Sequence, residues 1–128
     1  MGQAKCRILC VDDHEDSSAM LKILLTDSDY EVHVANTFAE ALNLAVSRQF
    51  DLYVLDKRLP DGSGMELCRR LNELTPNVPC IFYTGDTYEL NRREAMAAGV
   101  DVYVQKPDIE ALIKAVERLL VERDCGVT

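Results

Sequence analysis

Arg7-Ile8-Leu9-Cys10-Val11-Asp12-Asp13-His14-Glu15-Asp16 runs an apolar segment straight into a cluster of acids. The apolar half reads as a buried strand, and four of the last five residues carry carboxylates. Like charges this close repel, and a carboxylate beside a buried strand loses solvation, so something must compensate. One reading makes Asp13, Glu15 and Asp16 the capping acids of a following helix, where negative charge suits the dipole. The other has two of the acids hold a cation. The segment alone leaves both open, but either way a strand ends in carboxylates and a helix begins.

The same unit recurs along the chain. Short apolar runs rich in β-branched or aromatic residues lie at Arg7–Val11, Tyr30–Ala35, Leu52–Leu55, Cys80–Thr84 and Val102–Gln105. Helical spacing fills the intervals. Met20, Ile23 and Leu24 predict the apolar face of a first helix. Phe38, Ala41, Leu42, Ala45 and Val46 predict a second, with Thr37 and Glu40 placed as a capping box. Ser63-Gly64-Met65-Glu66 is another capping box, ahead of Leu67, Leu71 and Leu74. Leu90, Met96 and Ala97 give a thin face to a helix around residues 91–98. After Pro107, Asp108 caps a last helix striped by Ile109, Leu112, Ile113, Val116 and Leu119/Leu120.

Strands joined by helical crossovers are parallel, and near-continuous apolar strands imply helices on both faces. The expectation is an α/β fold with an open, doubly wound, five-stranded parallel sheet, since five units are too few for a closed barrel. At 128 residues the chain reads as one domain, residues 1–128, with a core of about 6–123 and a short tail at 124–128. No output domain is expected after Arg123, so the domain either acts alone or is part of a longer chain.

A hydrophobic fraction of 48% and a charged fraction of 28% are those of an ordinary globular protein. No apolar run spans a bilayer and no signal peptide opens the chain; Gly2 lacks the hydroxyl residue of a myristoylation site. The net charge of -8 argues against nucleic acid or an anionic membrane as a direct partner. Five cysteines form no Cys-x-x-Cys pair, and Cys10, Cys68 and Cys80 read as small buried hydrophobes in a reducing cytosol.

Doubly wound sheets bind ligands at the carboxyl ends of their strands. The first strand ends in Asp12-Asp13, the third in Asp56, the fourth in Thr84-Gly85 and the fifth in Lys106-Pro107, while Asn36 after the second is chemically quiet. Three carboxylates offer hard oxygens suited to Mg²⁺. An aspartate can also attack phosphorus, and a lysine and a threonine can serve phosphoryl oxygens. Phosphoryl chemistry on a carboxylate is the natural reading. His14, next to the acids, could ligate a metal, but an exposed loop histidine is the favoured assignment.

With these residues in place, the chain resembles the receiver domains of two-component response regulators, including single-domain chemotaxis regulators, from about Cys6 to Arg123. Asp12 and Asp13 match the family's acidic pair that binds Mg²⁺, with Mn²⁺ as a substitute. Asp56, followed by Lys57-Arg58-Leu59-Pro60-Asp61-Gly62-Ser63-Gly64, matches the phospho-acceptor and its loop. Thr84 before Gly85 matches the switch hydroxyl and Tyr103, three residues before Lys106-Pro107, the switch aromatic; the resemblance implies a cis Lys106-Pro107 bond. The resemblance implies a flavodoxin-like fold of strand order 2-1-3-4-5 with the site between the first and third strands. It implies a metal set of Asp12, Asp13, Asp56 and the backbone carbonyl of Arg58, and catalytic assistance from Lys106 and Thr84. It further implies a cytoplasmic signalling switch, not an enzyme beyond catalysing its own phosphorylation and slow dephosphorylation. Implied partners are a histidine kinase or phosphotransfer protein and a phosphorylation-dependent dimer through the fourth helix, fifth strand and fifth helix. Lys57, Arg58 and Asp86 flank the site in ways that bear on acyl phosphate lifetime. The competing readings are a Mg²⁺-dependent phosphohydrolase using an aspartyl phosphate, and a non-phosphorylated interaction module of the same fold.

Overall fold

A computed structural model of the chain describes residues 5–85 and 89–123; the side chains of residues 89–92 and 122–123 lie outside that description. Five strands form one parallel sheet: β1 (Arg7–Val11), β2 (Glu31–Ala35), β3 (Leu52–Leu55), β4 (Cys80–Thr84) and β5 (Val102–Gln105). Their spatial order is β2-β1-β3-β4-β5, and every pairing is parallel. Five helices connect or follow them: α1 (Glu15–Asp27), α2 (Phe38–Ser47), α3 (Gly64–Leu74), α4 (Glu89–Ala97) and α5 (Ile109–Arg123). This is the doubly wound α/β fold with order 2-1-3-4-5. Two further two-residue strands, Arg58–Leu59 and Gly62–Ser63, pair antiparallel as a small hairpin outside the sheet.

Alternation along the strands divides the core in two. Ile8 and Cys10 of β1, with Leu52 and Val54 of β3, pack on one face with Leu21 and Leu25 of α1 and Leu112 and Val116 of α5. Leu9, Val11, Tyr53 and Leu55 point to the other face, against Ala41, Ala45, Leu67, Leu71 and Ala95 of α2, α3 and α4. Burial on both faces explains why residues 8–11 and Leu52–Leu55 are apolar at every position. Burying each such Leu contributes about 2 kcal/mol, so the register leaves no room for a one-residue slip.

Helix starts follow the capping chemistry. Thr37 Oγ1 accepts from the Glu40 amide, Ser63 Oγ from the Glu66 amide and Asp108 Oδ1 from the Ala111 amide. Several helical faces differ from the expected ones. In α1 the buried residues are Ser18, Leu21 and Leu25, whereas Met20 and Ile23 are exposed. The segment Met20-Leu21-Lys22-Ile23-Leu24-Leu25 is apolar nearly all round, so periodicity did not select its inner side. Val46 and Leu74, near the ends of their helices, are exposed. In α4 and just beyond it, Ala95 and Ala98 are the buried contacts while Met96 and Ala97 are exposed; the Leu90 side chain lies outside the described residues. Tyr30 precedes β2 instead of opening it, because its amide bonds Leu25 O and closes the turn after α1, where Asp29 takes a φ of 71°.

Cys10, Cys68 and Cys80 are buried free thiols. Cys125, Asp86 and the tail 124–128 lie outside the described residues. Among the described residues no helix is long and apolar enough to cross a membrane.

Candidate functional site

Hydrogen bonds that continue the strand ladders bring the strand ends together. The Asp56 amide donates to Val11 O at 2.8 Å, which sets the end of β3 beside the end of β1. The Lys106 amide donates to Thr84 O at 2.8 Å, which ties the end of β5 to that of β4. Lys106-Pro107 is a cis peptide bond.

At this edge the carboxylates of two strand ends converge on the ammonium of a third. Lys106 Nζ lies 2.8 Å from Asp12 Oδ2 and 3.1 Å from Asp56 Oδ2. Both aspartates are buried, at 2% and 8% exposure. Burial would by itself lower the pKa of Lys106. The hydrogen bond to Asp12 and the charges of Asp56 and Asp12 outweigh it, and the pKa is raised above the ordinary lysine value. Lys106 Nζ also lies 5.6 Å from the centroid of the Tyr83 ring.

Asp13 is exposed at the rim, beside His14, whose Nδ1 is 2.9 Å from Asp13 Oδ1. Asp12, Asp13, His14 and Asp56 each offer one ligating atom, all within 4.8 Å of one another. The strand-end acids therefore do meet, and His14 is exposed as expected but turned towards them. The helix-start reading of the opening segment holds in part. Glu15 and Asp16 occupy the first turn of α1, and Asp12 Oδ1 accepts from the His14 amide at 2.9 Å.

The remaining expected residues surround this cluster. Thr84 is buried at the end of β4. Tyr103 is partly buried on the α2–α3–α4 face, its ring centroid 6.2 Å from that of Phe82. Arg58 opens the small hairpin two residues after Asp56. That hairpin leads into Gly64, where a Cβ would overlap the carbonyl oxygen of Asp56, so only glycine permits α3 to start this close to β3.

Three contributors escaped the sequence reading. Asn36, judged quiet, donates through Nδ2 to Asp12 O at 2.7 Å and to Ser18 Oγ at 3.3 Å, bracing the end of β1. It stands at a strand end like the others, and that position was the available signal. Asp61 accepts from the amides of Phe38 (2.7 Å) and Ala39 (3.1 Å), fastening the hairpin to the start of α2. These backbone bonds lower its pKa. No local pattern announces a cap supplied from 22 and 23 residues away. Tyr83, on the side of β4 facing α5, reads in sequence only as a core aromatic.

Comparison with known proteins agrees with this arrangement. Residues 8–117 match the family model of the response regulator receiver domain. The chain is 32% identical over 114 residues to the response regulator ArlR of Staphylococcus epidermidis, covering 88% of this chain and 52% of that protein. It is 38% identical over 117 residues to the phosphate regulon transcriptional regulatory protein PhoB of Pseudomonas aeruginosa, covering 87% and 51%. The chain thus spans about half the length of these relatives. The crystal structure of a CheY-like receiver domain protein from Methanospirillum hungatei superposes with a TM-score of 0.87 at 32% identity, covering 94% of this chain and 98% of that one. With its sheet order, its acidic strand ends and a family match across most of its length, this chain belongs to the response regulator receiver domains of two-component signalling.

Proposed function

We propose that Asp56 is the phospho-acceptor of this receiver and that Asp12, Asp13 and Lys106 equip it for the transfer. Receiver domains as a family accept a phosphoryl group, bind Mg²⁺ at an acidic pocket, and work with histidine kinases and output domains as switches. The observation that carries the assignment to these residues is the position of Lys106 Nζ, within 3.1 Å of carboxylates from two different strands.

The donor set suits a hard divalent cation. It comprises three carboxylates against one ammonium, with Asp12 and Asp56 buried and Asp13 open to solvent. Asp12, Asp13, Asp56 and the Arg58 carbonyl would hold Mg²⁺, or Mn²⁺ in its place. The ion, when bound, supplies positive charge to the phosphoryl oxygens and offsets repulsion among the acids.

An Asp56 carboxylate oxygen attacks the phosphorus of a phosphohistidine in line. The phosphorus–nitrogen bond breaks, and the electron pair leaves with the partner's imidazole. Lys106 stabilises the charge on the transferring group, and its hydrogen bond to Asp12 keeps it at the site. Thr84, held beside Lys106 through the backbone, then donates its hydroxyl to the phosphoryl group, and Tyr103 repacks in response. The α4–β5–α5 surface changes its affinity for a partner, a second copy included. Such a protein is a switch.

Acetyl phosphate with Mg²⁺, followed by intact mass, tests this. One stable phosphoryl adduct, absent in Asp56→Asn, is expected. Turnover without an adduct would favour the hydrolase, and no reaction would favour the interaction module.

A further inference from the structure

The site carries one donor that an all-oxygen Mg²⁺ pocket does not need. His14 occupies the cap position of α1, yet its side chain makes no capping hydrogen bond. The ring turns back over the acids, with Nδ1 2.9 Å from Asp13 Oδ1 and 3.4 Å from Asp12 Oδ1. Packing does not force this pose, because the side chain is 71% exposed. Lys106 binds the opposite oxygens, Asp12 Oδ2 and Asp56 Oδ2, so the imidazole and the ammonium approach Asp12 from different oxygens.

These spacings suit a coordination shell. Neighbouring ligands on an octahedral ion with bonds of about 2.1 Å stand roughly 3 Å apart. The Asp13–His14 separation of 2.9 Å is that of such a pair. Asp12 and Asp56 complete a four-atom group within 4.8 Å, so small side-chain shifts close it on one ion. Three carboxylates suit Mg²⁺ and Mn²⁺, whereas an imidazole nitrogen favours the later first-row metals, whose affinities rise along the series to Cu²⁺.

Building on the acidic pocket as a cation site, we propose that His14 is a direct metal ligand and gives this receiver a preference for a late first-row divalent cation, such as Co²⁺, Ni²⁺ or Zn²⁺, over Mg²⁺. The residue changes which ion occupies the pocket at a given metal supply, while Asp56 remains the phospho-acceptor.

Calorimetric titration of the protein with Co²⁺ and, separately, with Mg²⁺, at one fixed pH, tests this together with the visible absorption of bound Co²⁺. His14→Ala removes the donor. His14→Gln keeps a polar partner for Asp13 but is a poor ligand for Co²⁺, which separates ligation from hydrogen bonding. Both variants should bind Co²⁺ roughly tenfold or more weakly, with an altered Co²⁺ spectrum and Mg²⁺ affinity within about twofold of the parent. Unchanged Co²⁺ affinity and spectrum in both variants would overturn the assignment and leave the Mg²⁺ pocket standing. A loss in His14→Ala alone, with His14→Gln like the parent, would reduce His14 to a hydrogen-bond partner of Asp13. Failure of the parent to bind either ion would remove the cation site itself.

Discussion

At Asp56 the compensating charge is Lys106, 3.1 Å away, and the same ammonium serves Asp12 at 2.8 Å. One cation therefore faces three carboxylates, and the metal-free edge is strained by repulsion. Asp56→Asn removes one of those charges. It should raise the stability of the metal-free protein by about 1 kcal/mol, since the edge is part solvated. It should also shrink the gain in melting temperature that millimolar Mg²⁺ confers by binding only the native state. Asp13→Asn should weaken the Mg²⁺ gain as well, through loss of a ligand. A melting series of the three proteins with Mg²⁺ or EDTA, at constant ionic strength, reads this directly. Equal Mg²⁺ shifts in all three would mean that these acids only start a helix.

Among the elements, the join between β3 and α3 is the most constrained. Gly64 is the first residue of α3 and is buried, and its amide donates to Lys57 O at 2.7 Å. A methyl group there meets the backbone of Asp56 and Lys57, which cannot swing aside as a side chain can. Gly64→Ala should cost on the order of 2 kcal/mol and displace the acceptor strand end. Chemical denaturation, with acetyl phosphate labelling rates alongside, measures both effects. A variant of parental stability and labelling would show that the loop accommodates the methyl by moving as a unit. The hairpin is fastened at its other side by Asp61 to α2, so α2, the hairpin and the acceptor strand form one connected frame.

Across the whole molecule, the described part of α4 and the residue after it bury only small side chains. Ala95 and Ala98 are the buried contacts among the described residues, whereas α3 buries Leu67, Cys68 and Leu71. Hydrogen exchange with and without a phosphate mimic should therefore change most over α4, β5 and α5. Thr84→Ala should still accept phosphate yet lose that response. Changes confined to residues 15–50 would place the output face elsewhere. A second global expectation concerns alkaline pH. Burial pushes the Cys10 thiol up to about 12, with the charge of Asp12 adding to it. Burial likewise raises Tyr30 and Tyr83, and Lys106 is raised by its carboxylate partners against the effect of burial. A raised folded-state pKa gives stability that is present below the unfolded value and lost as pH climbs towards the folded one. From the ordinary thiol value of 9.0, Cys10 alone should remove about 1 kcal/mol by pH 10. Denaturation midpoints at pH 8 and pH 10 check this, and Cys10→Ala should flatten the difference. Equal midpoints in the parent would contradict it.

The short apolar runs and the helical spacing between them by themselves determined five parallel βα units, the capping residues Thr37, Ser63 and Asp108, and which side chains stand at the carboxyl edge of the sheet. These are local properties: a strand buried on both faces must be apolar throughout, and a cap lies within three residues of what it caps. Tertiary structure alone decided the rest. Which side of α1 faces inward depended on the sheet it met, because Met20 through Leu25 offer apolar surface in several directions. Val46 and Leu74 carry the right period yet stay exposed near the ends of α2 and α3. Asn36 on Asp12 and Asp61 on α2 are contacts between distant segments. The turn of His14 over the carboxylates is a side-chain orientation. Spacing along the chain determines which residues can share an edge, but the distances between their atoms are set when strands far apart in sequence pair in register, and those distances decide the chemistry.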